Sequence, residues 1–95
     1  MSGILANQAM TECKNGSVDG VRATLSKGVD INVQDKEGKT LMHHAVINNR
    51  RKVMNYLILE GAEPDYQDKE GDTPLHFACE LELKELIIFL LLNKA

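Results

Sequence analysis

The chain has no tryptophan, and among its 95 residues there are two tyrosines, two phenylalanines, two prolines and two cysteines. So few rings leave any core to aliphatic side chains, and two cysteines are too few for a disulfide framework. A block of one charge is missing as well: eleven Lys and Arg stand against fourteen Asp and Glu, a net charge of −3. Without a basic block to gather phosphates, the composition argues against nucleic acid as the main ligand. The longest apolar run, Leu86 to Leu92, is far short of the roughly 20 residues that span a bilayer. Met1-Ser2-Gly3 leads into no signal-like apolar segment, so the reading is an intracellular chain, cytoplasmic or nuclear, with no membrane insertion. What is present, 43% hydrophobic and 26% charged residues, suffices for a single small domain over residues 1–95.

Self-comparison then organises the chain. Asp35-Lys36-Glu37-Gly38 recurs as Asp68-Lys69-Glu70-Gly71, Thr40 as Thr73, His43 as His76 and Ala45 as Ala78. Gly28 and Gly61 keep the same spacing, so one fixed period runs through the chain. The register divides it into a divergent first unit (2–34), a second (35–67) and a third (68–95) that stops before the extended segment following Gly28 and Gly61.

Each unit has the same internal grammar. The Asp of Asp-Lys-Glu-Gly accepts backbone hydrogen bonds at the start of a tight turn, and Gly is favoured at its end. Thr40 and Thr73 are N-cap residues, and Pro74 follows at the first helical position, where its missing N–H does no harm. A second helix begins near Arg51 and near Lys84. Its apolar residues, Val53, Met54, Leu57 and Ile58 and then Leu86, Ile87, Leu90 and Leu91, show the three-and-four spacing of a buried face. Gly61 ends the helix by adopting positive φ. Two short helices and an extended tip cannot bury both helix faces alone, so neighbouring units must stack.

Thr40-Leu41-Met42-His43-His44-Ala45 and Thr73-Pro74-Leu75-His76-Phe77-Ala78 resemble the signature of ankyrin repeat proteins, with the repeat period and Gly61-Ala62-Glu63 in agreement. The resemblance implies an all-α fold, a solenoid of stacked helix–turn–helix units with extended β-turn tips. It also implies that His43 and His76 tie each turn to the backbone of neighbouring repeats. The first unit departs from the pattern, with Asn7-Gln8-Ala9-Met10 where Thr-Pro-Leu-His is expected, as suits a polar N-terminal cap. Leu41 replaces the Pro and Asn49 the inter-helix Gly of the second unit. His76-Phe77-Ala78-Cys79-Glu80 and the tail Leu91-Leu92-Asn93-Lys94-Ala95 are also similar to the last repeats of ankyrin tails on some acyl-CoA-binding proteins. That alternative makes the chain an accessory domain of a lipid-handling protein whose ligand site lies elsewhere.

Residues with chemistry to offer read as structural. Adjacent helical residues such as His43 and His44 diverge, and no Cys or carboxylate stands at ligand spacing beside them, so no metal is expected. Cys13 and Cys79 are separated by two full periods. Helices packed roughly 8–10 Å apart put them on the order of 20 Å from each other, beyond the roughly 7 Å Cα limit of a disulfide. Both are expected as free, largely buried thiols. Glu80, Glu82 and Glu85 read as a solvated helix surface, Arg50-Arg51-Lys52 as the one basic cluster, and no glycine-rich phosphate loop is present. No catalytic residue, cofactor or enzymatic activity is expected.

What remains is surface. In ankyrin proteins partners usually contact the tips and the exposed side of each first helix, and the resemblance carries this to Gln34, Lys36, Glu37, Lys39, Ile47 and Asn48 in the second unit. In the third it carries to Gln67, Lys69, Glu70, Asp72, Glu80 and Leu81. Mixed charge of this kind favours a polar, salt-sensitive protein partner. The last helix is apolar on every side, and such a helix is normally covered on every side. Leu83, Ile88 and Leu92 are therefore candidates for self-association as a homodimer, or for cover by a further repeat if these residues are a fragment of a longer protein.

Overall fold

A computed structural model of the chain describes residues 2–93. It contains α1 (Ser2–Asn15), α2 (Val18–Ser26), α3 (Leu41–Ile47), α4 (Arg51–Leu59), α5 (Pro74–Glu80) and α6 (Lys84–Asn93). Among the described residues there is no strand, and the one β-bridge pairs Gln34 with Thr40 across the first tip. The chain is all-α, built as three helix pairs.

Local chemistry sets where the helices start and stop. The Thr40 and Thr73 hydroxyls accept the amides of His43 and His76, and the two imidazoles accept the amides of Thr40 and Thr73 in return, a reciprocal cap that satisfies two otherwise orphaned donors. Ser17 caps α2 by accepting the Gly20 amide at 3.0 Å. Gly16, Asn49 and Glu82, each one repeat period from the next, take φ of 78°, 55° and 57° and turn the chain between the helices of each pair. Gly61, at φ 92°, ends α4 as expected. α1 runs for 14 residues against 7 in α3 and α5, because no Thr cap interrupts it.

The pairs stack as two rows, with α1, α3 and α5 in one and α2 beside α4 in the other. Leu41, Met42, Ala45 and Val46 of α3 are buried together with Val53, Met54 and Leu57 of α4, so the middle unit is sandwiched. Ala9, Met10, Cys13 and Val21 close the core at one end and Ala78, Leu86 and Leu90 at the other. The aliphatic core and the stacked arrangement are those the sequence predicts.

The cysteines require a correction. Both are free, but Cys13 is buried and Cys79 is exposed. Val46, at the equivalent place in the second unit, is fully covered because α5 packs on α3. Among the described residues nothing packs on the outer side of α5, so the same position is open there. Burial, with Glu12 beside it, pushes the Cys13 thiol up to about 12 and leaves it a protonated, inert core group.

Candidate functional site

The tips are held by their own carboxylates. Asp35 Oδ1 accepts the amides of Glu37 and Lys39, both at 2.9 Å, and Asp68 Oδ1 accepts those of Glu70 and Asp72 at 3.0 and 2.9 Å. These are the turn-initiating hydrogen bonds expected of Asp at the head of Asp-Lys-Glu-Gly. Gly38, at φ 81°, is buried, and a Cβ there would stand 2.8 Å from the Lys69 backbone nitrogen. Its lack of a side chain lets the tips meet: the Lys69 amide donates to the Glu37 carbonyl at 2.9 Å. Gln34 Nε2 donates to the carbonyl of Gly38 at 2.8 Å and reaches that of Gln67 at 3.4 Å.

Two largely buried pairs brace this strip from behind. His44 Nε2 lies 2.8 Å from Asp35 Oδ2 and fixes the first tip to α3. Burial raises the Asp35 pKa, but the bonds from His44 and from the Lys39 and Glu37 amides outweigh it and hold the carboxyl below its usual range. The Lys39 ammonium lies 3.6 Å from Glu37, 3.4 Å from Asp68 Oδ2 and 5.5 Å from the centre of the Phe77 ring. Asp68 Oδ2 is buried and accepts no hydrogen bond, so this ion pair is its compensation. Desolvation opposes both charges, yet the Asp72 and Glu70 amides and then Lys39 keep the Asp68 pKa lowered, and Asp68 with Glu37 keeps the Lys39 pKa raised. The carboxylates of Asp68, Glu70 and Asp72 come within 4.8 Å of one another. With Asp68 already committed to two amides and an ammonium, the cluster does not fit a cation.

His43 joins the units. Its Nδ1 accepts the Thr40 amide at 3.0 Å, which leaves Nε2 to carry the proton and donate to the Asp72 carbonyl at 2.8 Å. Burial lowers its pKa, in keeping with a neutral imidazole. The ring meets Phe77 edge-on at 5.9 Å. His76 makes the same bond to Thr73 but is exposed, and no neighbouring backbone meets its Nε2 among the described residues.

Lys36, Glu37, Gln67, Lys69 and Glu70 are exposed along one tip strip, with Gln34 at its start. Lys39 and Asp72 belong to the framework beneath it: Lys39 is turned inward and Asp72 supplies the carbonyl for His43. Ile47 is half-buried, while Asn48, Glu80 and Leu81 are exposed at the far ends of α3 and α5. Ala6, Asn7 and Met10 of α1 were not assigned to the face from sequence, yet they share an open cleft of about 500 Å³ with Gln34, Asp35, Lys36 and Glu37. The first unit lacks the Thr cap and tip that would have flagged them. On α6, Ile88 and Leu92 are 59% and 75% exposed, whereas Leu83 is half-buried against the core. Among the described residues no helix is long and apolar enough to cross a membrane.

A family model described as ankyrin repeats (3 copies) matches residues 9–95. Over 47 residues, half of this chain, the sequence is 43% identical to the palmitoyltransferase Hip14 of Drosophila melanogaster. It is 36% identical over 73 residues, 77% of the chain, to an L-asparaginase of Dirofilaria immitis. A putative ankyrin repeat protein of Acanthamoeba polyphaga mimivirus, L271, is 39% identical over 46 residues, 48% of the chain. The matched parts make up 7%, 12% and 6% of those relatives, so the chain spans a small part of their length. None of the three is named as an acyl-CoA-binding protein, and that resemblance stays with the short strings that suggested it. The chain belongs to the ankyrin repeat family.

Proposed function

We propose that this ankyrin repeat chain is a non-catalytic module that binds a protein partner on its tips and the adjoining side of its first helices. The reading rests on one observation: the exposed side chains of Lys36, Glu37, Lys69 and Glu70 stand on backbone already fixed by the Asp35 and Asp68 turns and by the Lys69 to Glu37 bond. A partner docking there meets an ordered surface and spends little free energy on ordering it. Gln34, Gln67, Ile47, Asn48, Glu80 and Leu81 extend the face, with Lys39 and Asp72 as its support. Alternating charge makes the contact salt-sensitive. The module works inside the cell, in cytoplasm or nucleus.

A photo-crosslinking side chain placed at Glu37 or Glu70 should trap a recurring protein adduct in the cell of origin, and one at Glu60, on the second-helix row, should not. Adducts from Glu60 with none from the tips would overturn this face. A second reading rests on the exposed Ile88 and Leu92 of α6, which would bury against a second copy of the chain. Light scattering over a concentration range should then give a dimer that Ile88→Asp with Leu92→Asp returns to monomer. A monomer throughout would discard it.

A further inference from the structure

The end of the molecule opposite the tips carries a basic cleft, and the stem of its arginine lies against the glycine that turns the chain between α1 and α2. In the repeat register Ser17-Val18-Asp19 of the first unit corresponds to Arg50-Arg51-Lys52 and to Leu83-Lys84-Glu85. The α2 N-terminus has the Ser17 cap and Asp19 in its first turn, and α6 has Glu85. The α4 N-terminus has no side-chain cap and no acid; it opens with three cations, against the positive end of its own dipole. That arrangement costs stability, and an anionic ligand would reverse the cost.

Arg50 is exposed, but its side chain is anchored at Nε. Its Nε donates to the Lys14 carbonyl at 2.8 Å, and its stem lies across Gly16, where a Cβ would stand 2.9 Å from Cδ. Among the described residues no hydrogen bond engages its two terminal nitrogens, so they remain available as donors. Arg51 pairs with Glu85, and Lys52 is exposed with no ion pair among the described residues. Together with Asn15, Gly16 and Asn49 these groups line a cleft of about 410 Å³. A second cleft of about 310 Å³ shares Arg51, Lys52 and Glu85 and runs on to Asn55 and Phe89. Three cations less one carboxylate leave an excess of two positive charges in a chain whose net charge is −3.

We infer that this cleft is a second interaction surface, independent of the tips, and that it takes an acidic peptide segment. Two neighbouring carboxylates would meet the Arg50 fork and Lys52, and an apolar residue beyond them would reach Phe89.

A glutamate-rich peptide, its glutamine counterpart and inorganic phosphate serve as probes, followed by backbone amide NMR shifts on the whole chain. The glutamate peptide should move the amides of Asn15, Gly16 and Asn49 to Val53 while the glutamine peptide moves none. Lys52→Glu, at an exposed site, should weaken binding about tenfold or more without lowering the melting temperature, since an acid in the first turn suits the α4 dipole. Arg50→Lys, which keeps the charge and loses the fork, should weaken it by about threefold or more. Lys36→Glu with Lys69→Glu should leave it intact. Shifts confined to the tips, loss of binding in the tip variant, or no glutamate-peptide binding would overturn the inference. So would phosphate occupying these amides when the peptide does not. Each of those outcomes leaves the tip-face reading to its own crosslinking test.

Discussion

The second and third units carry the same side chains one repeat period apart and meet different neighbours. His43 is fully buried, caps α3, and bonds the Asp72 carbonyl of the next unit at 2.8 Å. His76 caps α5 with the same geometry and stands exposed. Val46 is buried where Cys79 is open, and Gly38 is pressed against Lys69 where Gly71 faces empty space. The cap is therefore a property of a few consecutive residues, while the stacking contact is a property of the pair of units.

The sharpest test of that division is the histidine pair. His43→Ala removes the cap, the bond to Asp72 and the contact with Phe77 from a site with no solvent access, and should cost about 3 kcal/mol. His76→Ala removes a cap alone and should cost about 1 kcal/mol. Urea denaturation of the two variants reads the difference directly. Equal losses would mean that the bond between units contributes nothing.

The glycine pair breaks the comparison along the backbone instead. Both Gly38 and Gly71 have positive φ, 81° and 84°. Gly71→Ala meets no atom and should cost about 1 kcal/mol from φ strain. Gly38→Ala adds a Cβ 2.8 Å from a backbone nitrogen and must push the second tip away, so about 2 kcal/mol or more is expected. Thermal melts that rank the two equally would show the tips to be loosely joined.

The same division explains what could be read from sequence. Helix starts, the Thr caps, the Asp turns and the Gly61 stop were legible because each is decided within a few residues. The exposure of Cys79 was not, because twice the repeat period says where a residue sits in its own unit and nothing about whether another unit covers it. The His44 to Asp35 and Lys39 to Asp68 pairs also escaped the pattern. Lys39 stands where the third unit has Asp72, and His44 where it has Phe77, so the period flags neither. Ala6, Asn7 and Met10 were hidden for another reason. The register aligns Asn7 and Met10 with Thr40 and His43, but the residue types of the first unit depart from the signature. That unit has no Asp-Lys-Glu-Gly tip of its own, so nothing local ties α1 to the next unit's tip.

Acid should act on the second unit first. Burial holds the His43 pKa below its usual 6.5, so the unfolded chain binds a proton that the folded chain refuses. Its contribution is complete above about pH 6.5 and declines as pH falls towards the folded value. Asp35 and Asp68 have folded values below the usual 3.8, so their contribution is present above that pH and is lost as pH falls through the folded values. Stability measured against pH should fall in two stages, and His43→Gln should flatten the upper one. A variant that keeps both stages would assign the upper one to another group.

The smallest expected effect sharpens the comparison by finding a place where neighbours do not matter. Glu82 and Asn49 turn the chain between the helices of their units at nearly the same φ, 57° and 55°, although one unit is sandwiched and the other is not. Gly16 holds the equivalent turn in the first unit. A side chain with a Cβ costs about 1 kcal/mol in this left-handed region, less for Asn, whose short polar side chain tolerates it. Glycine removes that strain but loses more freedom on folding, so Glu82→Gly should gain about 0.5 kcal/mol net and raise the melting temperature by a few degrees. Asn49→Gly should gain less. The order follows from side-chain type alone, so a larger gain at Asn49 would mean that the stacked units strain the turn they enclose, and that even this local signal depends on its neighbours.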